Sequence, residues 1–239
     1  MLVAAAVCPC PPLLVPQVAA GAADELAAAR TACSDALAVL AASRPDRLVV
    51  VGPADPAGEG AHPQGARGSF HGFGVAAEVR LGAPVPGGPA AGRDLPPSLA
   101  VAAWLLDHTD WACAPVSGLG VGPALATEDC LAAGRELAGT AGRVALLVMG
   151  DGSACRTVKA PGYLDERAAA FDAAAARALG TADTAALAAV DARLGTELQA
   201  AGRASWQVLA GAAEGAGLDG RLLYEDAPYG VGYFVAAWS

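Results

Sequence analysis

The sequence has little lysine and few aromatic residues, and both shortages narrow the possible functions. Lys159 is its only lysine, and 24 acidic residues against 15 basic ones give a net charge of −9. Nucleic acids and anionic membrane surfaces are bound through clusters of basic side chains, so we expect neither as a partner. Aromatic residues make up only 5% of the chain, so each one matters more to the packing of the core.

Long apolar runs and a dense cysteine framework are also missing. No uninterrupted apolar run approaches the roughly 18 residues of a membrane-spanning helix. The N-terminal MLVAAAVCPC has no basic region and is broken by proline, so we interpret it as a first strand and not as a signal peptide. Six cysteines in 239 residues are too sparse for a disulfide scaffold. We therefore expect a soluble, cytoplasmic protein.

The apolar pattern predicts one α/β domain over residues 1–239. Hydrophobic residues make up 54% of the chain, enough for a sizeable core. Apolar runs predict strands, and helical spacing predicts a long helix over 19–42, with Cys33 in the core. The predicted strands are 2–7, 47–52, 75–81, 111–116, 143–150, 221–225 and 232–238. Their alternation with helices predicts a mostly parallel central sheet with helices on both faces.

In sheets of this kind, functional sites form beyond the carboxyl ends of the strands. Four loops fall there: 8–16, 53–74, 150–163 and 225–231. The Gly/Pro-rich loop 53–74 is too long for a plain connection, so we expect it to cover a site. A further Pro/Gly loop is predicted over 83–95.

These loops supply the candidate pocket residues. Prolines stiffen the stretch VCPCPPLLVP, which presents Cys10 either as a metal ligand, as a redox thiol or as a small buried filler. Asp55, Asp151, Ser153 and Tyr229 are the other pocket candidates. An Asp-Gly pair is also a common turn, and a tyrosine is often a core residue, so both alternatives stay open.

Three further side chains have chemistry worth following. His62 and His71 lie in the loop 53–74, where they could serve as ligands or simply be solvated. Cys155 precedes Arg156, and a positive neighbour lowers the pKa of a thiol.

Several segments, in their order along the chain, resemble the LigB-type catalytic subunit of class III extradiol ring-cleavage dioxygenases and its Memo-like relatives. They are CPCPPLLVP, VVVGPADP, GSFHGFG, VMGDGSACR, APGYLDERAAAFD and YEDAPYGVGYFVA. The resemblance implies a LigB-like α/β fold and membership of an oxidoreductase superfamily. It also implies non-haem Fe(II) held by two His and one Glu, with a further His that moves protons.

The residues at the matching positions differ from that pattern. Cys10 and Ala54 stand where the resemblance places the two ligand histidines, and Ala154 stands where it places the acid–base histidine. The position of the ligand Glu corresponds to Asp226, or to Glu225 if the preceding tyrosine is the anchor. One thiolate and one carboxylate are too few ligands for a facial triad.

Three functions remain open at this point. The first is a LigB-like protein that lacks standard Fe(II) catechol cleavage and binds a small aromatic molecule. The second is an active oxidoreductase with a metal centre rebuilt from Cys10 and Asp226, with Glu225, His62, His71 or Asp55 as alternative ligands. The third is a non-enzymatic interaction protein whose acidic surface meets a basic partner. An oligomer is compatible with each.

Overall fold

The computed structural model describes residues 1–84 and 93–239, and its centre is a seven-stranded sheet. The strands of the sheet are β1 Leu2–Cys8, β2 Arg47–Pro53, β3 Gly60–His62, β6 Val116–Val121, β7 Val144–Met149, β8 Gly220–Asp226 and β9 Tyr233–Trp238. Their order is β3-β6-β2-β7-β1-β9-β8. The four central strands, β6 to β1, are parallel to one another. The outer pairs β3–β6, β1–β9 and β9–β8 are antiparallel. A separate hairpin pairs β4 Arg67–Ser69 with β5 Glu78–Arg80.

Helices cover both faces of the sheet, so the predicted α/β fold class is confirmed. They are α1 Pro16–Ala19, α2 Ala27–Ala42, α3 Pro97–His108, α4 Thr127–Ala138, α5 Ala168–Gly180, α6 Thr184–Ala188, α7 Ala192–Glu197 and α8 Arg203–Ala212. Helices α2 and α3 pack on one face, and α4, α5 and α8 on the other. Among the described residues, no helix has the length and apolarity needed to cross a membrane.

The core is built around aliphatic strands that are buried on both faces of the sheet. All six residues of β7 are buried, as a central parallel strand requires. In β1, Ala4, Ala6 and Cys8 face α2 and α3. Cys33 and Trp206 are fully buried, so the predicted core position of Cys33 is confirmed.

Two predicted elements were wrong in their position. The helix predicted over 19–42 becomes regular only at Ala27; the chain passes first through a 3₁₀ segment, Ala20–Leu26, in which Ala20 has φ 49°. The strand predicted over 111–116 begins only at Val116 and includes the following glycines. A Cβ on Gly120 would collide with the Gly58 carbonyl oxygen, so the close approach of these two backbone segments explains the glycine inside a strand.

The predicted loop 53–74 also differs, since it contains β3, β4 and a 3₁₀ turn at His71–Phe73. The strand predicted over 75–81 is reduced to the three residues of β5. Of the loop predicted over 83–95, residues 85–92 lie outside the described residues.

Candidate functional site

Two candidate residues meet where the central parallel strands end. Cys8 in β1 lies opposite Met149 in β7, so two residues further on Cys10 lies beside Asp151. The backbone N–H of Cys10 donates to Oδ1 of Asp151 at 2.8 Å, and this hydrogen bond links the two loops. The carboxyl ends of β1 and β7 therefore bring together a thiol and a carboxyl group.

The antiparallel strands β9 and β8 bring further side chains next to Cys10, on the side of β1 away from β7. Val7 in β1 pairs with Ala236 in β9, so the same register places Tyr233 beside Cys10. Tyr233 pairs in turn with Asp226 of β8. The side chains of Asp151, Cys10, Tyr233 and Asp226 thus follow one another across adjacent strands, which are about 4.8 Å apart. We call these four residues the carboxyl-edge site.

Asp151 is the titratable group of this site with the most useful chemistry. Burial raises the pKa of its carboxyl from the usual 3.8 to about 7, although the hydrogen bonds from Cys10 oppose the rise. At neutral pH the carboxyl is therefore divided between its protonated and ionised forms. A group in that condition can accept or donate a proton to a bound molecule.

The neighbouring thiol and phenol stay protonated. Burial raises the pKa of the Cys10 thiol well above its usual value, and the negative charge of Asp151 raises it further. Burial also raises the pKa of Tyr233, with added contributions from Asp151 and Cys10. A protonated thiol is a poor nucleophile and a poor metal ligand, so Cys10 offers a weak donor at neutral pH.

The structure distinguishes the two carboxylates near the end of β8. Asp226 pairs with Tyr233, whose side chain packs in the core cluster that also contains Cys10. Glu225 pairs with Phe234, which belongs to the cluster on the opposite face. Paired residues point to the same face of a sheet, so Asp226 shares a face with Cys10 and Glu225 does not.

Neighbours on the same loop already engage the Asp226 carboxylate. Its Oδ1 accepts from the backbone N–H of Ala227 at 2.7 Å, and its Oδ2 lies 3.4 Å from the Tyr224 hydroxyl. Tyr229 of this loop is half-buried, and its hydroxyl is buried close to the Glu25 carboxylate. Burial raises the pKa of Tyr229, and Glu25 raises it further.

The other two positions that the resemblance implies carry only methyl groups. Ala54 follows β2 and Ala154 follows β7, and both are buried. Their backbone N–H groups donate to the carbonyls of Val121 and Leu198 at 2.9 Å. Neither residue can coordinate a metal or move a proton.

The strand order separates His62, one of the loop candidates, from Cys10. His62 is buried in β3, with Nε2 2.8 Å from the Gly58 carbonyl oxygen. Since β3 is four strands from β1, about 19 Å separates them, and His62 is not a neighbour of Cys10. Asp55 accepts from the Gly58 N–H at 2.9 Å, and His71 is an exposed residue of a 3₁₀ turn.

Ser153 does not line the site as predicted, because it is fully buried against α5. Its N–H and hydroxyl donate to the two oxygens of Asp172 at 2.7 and 2.8 Å. Arg156 completes the network with a 3.0 Å ion pair to the same carboxylate. Sequence reasoning missed Asp172, although a lone acid among the alanines on the buried face of a predicted helix was the available signal.

Cys155 does not have the environment that lowers the pKa of a thiol. Its thiol is buried and points to the carbonyl oxygens of Leu198 and Gly162 at 3.5 and 3.6 Å. Burial raises the pKa of this thiol, and two nearby aspartates raise it further. The guanidinium of Arg156 is engaged by Asp172 instead.

This donor set does not fit the iron centre that the resemblance implies. A facial triad needs three ligands on one side of Fe(II). Residues 1–84 and 93–239 contain no group of three or more His, Cys, Asp or Glu side chains placed to hold a metal ion. At the positions of the implied ligands and acid–base group, the chain has the protonated thiol of Cys10, the methyl groups of two alanines and the Asp226 carboxylate. That carboxylate is hydrogen-bonded to the backbone of its own loop.

Comparison with known proteins supports the fold. No family model matches the chain, and no curated protein matches it. Among solved structures, it is similar to the crystal structure of the uncharacterized protein JW3007 from Escherichia coli K12, with a TM-score of 0.58 and 16% identity. The match covers 99% of both chains. At this identity the likeness establishes a shared fold over the whole chain.

Proposed function

We propose that this chain is a LigB-like, extradiol dioxygenase-type protein that binds a small aromatic molecule at the carboxyl-edge site without standard Fe(II)-dependent catechol cleavage. The observation that carries the proposal is the pairing of Cys10 with Asp151. It places a carboxyl group with a pKa of about 7 where parallel sheets bind ligands.

The site has chemistry suited to a phenolic ligand. An ionised Asp151 accepts a hydrogen bond from a phenolic hydroxyl, and a protonated Asp151 donates one. Tyr229, on the loop that follows Asp226, adds an aromatic ring. Aromatic rings contact one another through offset or edge-to-face packing, which favours an aromatic ligand.

The same residues argue against ring cleavage by iron. Two alanines, Ala54 and Ala154, stand where the resemblance places a metal ligand and a proton-transfer group. The described residues contain no group of three or more His, Cys, Asp or Glu side chains that could hold a metal in their place. Without three ligands, bound Fe(II) would not hold a catechol and O₂ side by side.

Calorimetric titration with catechol, under anaerobic conditions and without added metal, tests the proposal. We expect saturable binding to the wild type and at least about tenfold weaker binding to Asp151→Ala, since the variant loses a hydrogen bond to a carboxyl group. Asp35→Ala is the matched control, because Asp35 is exposed on α2, away from the site. Binding that is equal in all three proteins, or absent from the wild type, would refute the proposal.

A further inference from the structure

A cleft with charged walls lies between the hairpin of β4 and β5 and the last turn of α3. It has a volume of about 510 Å³, within the range of roughly 300 to 1,000 Å³ that is usual for small-molecule sites. Helix α3 begins beside β2, where the Ser98 hydroxyl donates to the carbonyl of Pro53 at the carboxyl end of that strand. The other end of α3, and the cleft with it, therefore lies toward the opposite edge of the sheet, away from the carboxyl-edge site.

The hairpin wall of the cleft carries two arginines side by side. Arg67 pairs directly with Arg80 across the hairpin, and both line the cleft. Like charges directly opposite each other are destabilising, and an anion bound between them removes the repulsion. Two adjacent guanidinium groups also provide the paired N–H donors that bind a carboxylate. Glu78 lines the same wall, yet no ion pair joins it to either arginine among the described residues.

The helix wall of the cleft is negative. Asp107 in the last turn of α3 and Asp110 just beyond it both line the cleft. The C-terminus of a helix carries a partial negative charge, so two carboxylates there favour the approach of a cation. Within residues 1–84 and 93–239, neither carboxylate forms an ion pair, and His108 of the same turn stacks on Trp104 with ring centroids 3.8 Å apart. The negative charge of this wall is therefore available to a ligand.

The cleft also has an apolar lining, formed by Val79, Leu106 and Trp111. The indole N–H of Trp111 donates to the carbonyl of Ala114 at 3.0 Å, and this hydrogen bond holds the ring in place. An aromatic ring fixed in this way offers a surface on which a hydrocarbon or aromatic group can pack. The cleft thus combines a cationic wall, an anionic wall and an apolar surface.

We infer that this cleft binds a zwitterionic α-amino acid with an apolar side chain. The carboxylate of the ligand binds Arg67 and Arg80, its ammonium group binds Asp107 and Asp110, and its side chain packs on Trp111. A ligand with a single charge leaves one of the two walls uncompensated, so a zwitterion fits better than a simple anion or cation. The inference is independent of the proposed function, since none of these residues belongs to the carboxyl-edge site.

Calorimetric titration with L-phenylalanine tests the inference. The ligand controls are two analogues that keep the ring and one charge: 3-phenylpropionate lacks the ammonium group, and phenethylamine lacks the carboxylate. We expect saturable binding of L-phenylalanine to the wild type. Each analogue should bind at least about tenfold more weakly, because it loses one set of charged hydrogen bonds.

Two variants test the assignment of the ligand charges to the two walls. Arg80→Gln and Asp107→Asn should each weaken the binding of L-phenylalanine by about tenfold or more. Arg221→Gln on β8 and Asp35→Asn on α2 are the matched controls, because both residues are exposed and neither lines the cleft. All four substituted positions are exposed, and circular dichroism verifies that each variant is folded.

Each result decides the question. Binding of L-phenylalanine that is tighter than that of both analogues, weakened in the two cleft variants and unchanged in the two controls supports the site. A wild type that does not bind L-phenylalanine refutes it. Equal binding by the wild type and either cleft variant, or by L-phenylalanine and either analogue, also refutes a zwitterion site in this cleft.

Discussion

The backbone N–H of Cys10 donates a hydrogen bond to Oδ1 of Asp151 at 2.8 Å, across the carboxyl ends of two adjacent parallel strands. The contact fixes the orientation of the carboxyl group without neutralising it through a cation. Burial therefore determines the pKa of Asp151 and brings it close to neutral pH.

This raised pKa predicts how stability depends on pH. The folded protein keeps the Asp151 proton up to about pH 7, whereas the unfolded chain releases it near pH 3.8. The folded state therefore binds more protons in this range, and the contribution of Asp151 to stability falls as pH rises from about 4 to 7.

Asp151→Asn isolates that contribution, because an amide oxygen can still accept from Cys10 but does not titrate. We expect the variant to gain stability relative to the wild type between pH 5 and pH 8, by up to about 3 kcal/mol. Urea unfolding of both proteins across this range measures the difference. A difference that does not change with pH would show that Asp151 has an ordinary pKa.

The thiols should differ in their reactivity toward iodoacetamide. Cys113 is exposed, whereas Cys10 is buried and its pKa is raised by burial and by Asp151. We expect Cys113 to be alkylated first at neutral pH, and Cys10 to react faster in Asp151→Asn than in the wild type. Peptide mass spectrometry over time measures both rates, with Cys113 as the internal reference. An unchanged Cys10 rate would contradict the predicted electrostatic coupling.

The buried Asp172 should contribute strongly to stability. Asp172→Ala leaves the N–H and hydroxyl of Ser153 unpaired and removes the carboxylate partner of Arg156. We expect a loss of about 3 kcal/mol in the free energy of unfolding. Glu214→Ala breaks the exposed pair with Arg135 and should cost less than about 1 kcal/mol. Equal losses in the two variants would refute a structural role for the network.

The order of strands and helices could be predicted from the sequence because buried parallel strands are continuous aliphatic runs. The strands predicted over 47–52 and 143–150 could be identified from this aliphatic pattern alone. The strand Val116–Val121 was misplaced because its glycines are residues typical of a turn. Only the close approach of neighbouring segments of the fold explains them inside a strand.

The candidate site was predictable only in part. Cys10 and Asp151 directly follow predicted strands. The expectation that sites form beyond the carboxyl ends of parallel strands therefore identified both. The buried network of Ser153, Arg156 and Asp172 depends on how α5 packs beneath the loop, and that packing is a tertiary relationship. The distance of His62 from Cys10 also depends on strand order, which local sequence patterns do not specify.

The most direct measurement is the iron content of protein purified without oxygen and then offered Fe(II), followed by oxygen uptake on addition of catechol. We expect iron far below one equivalent and no catechol-dependent oxygen consumption. Near-stoichiometric iron that is lost in Cys10→Ser, together with oxygen uptake, would contradict the proposed function and would indicate a rebuilt metal centre at the carboxyl-edge site.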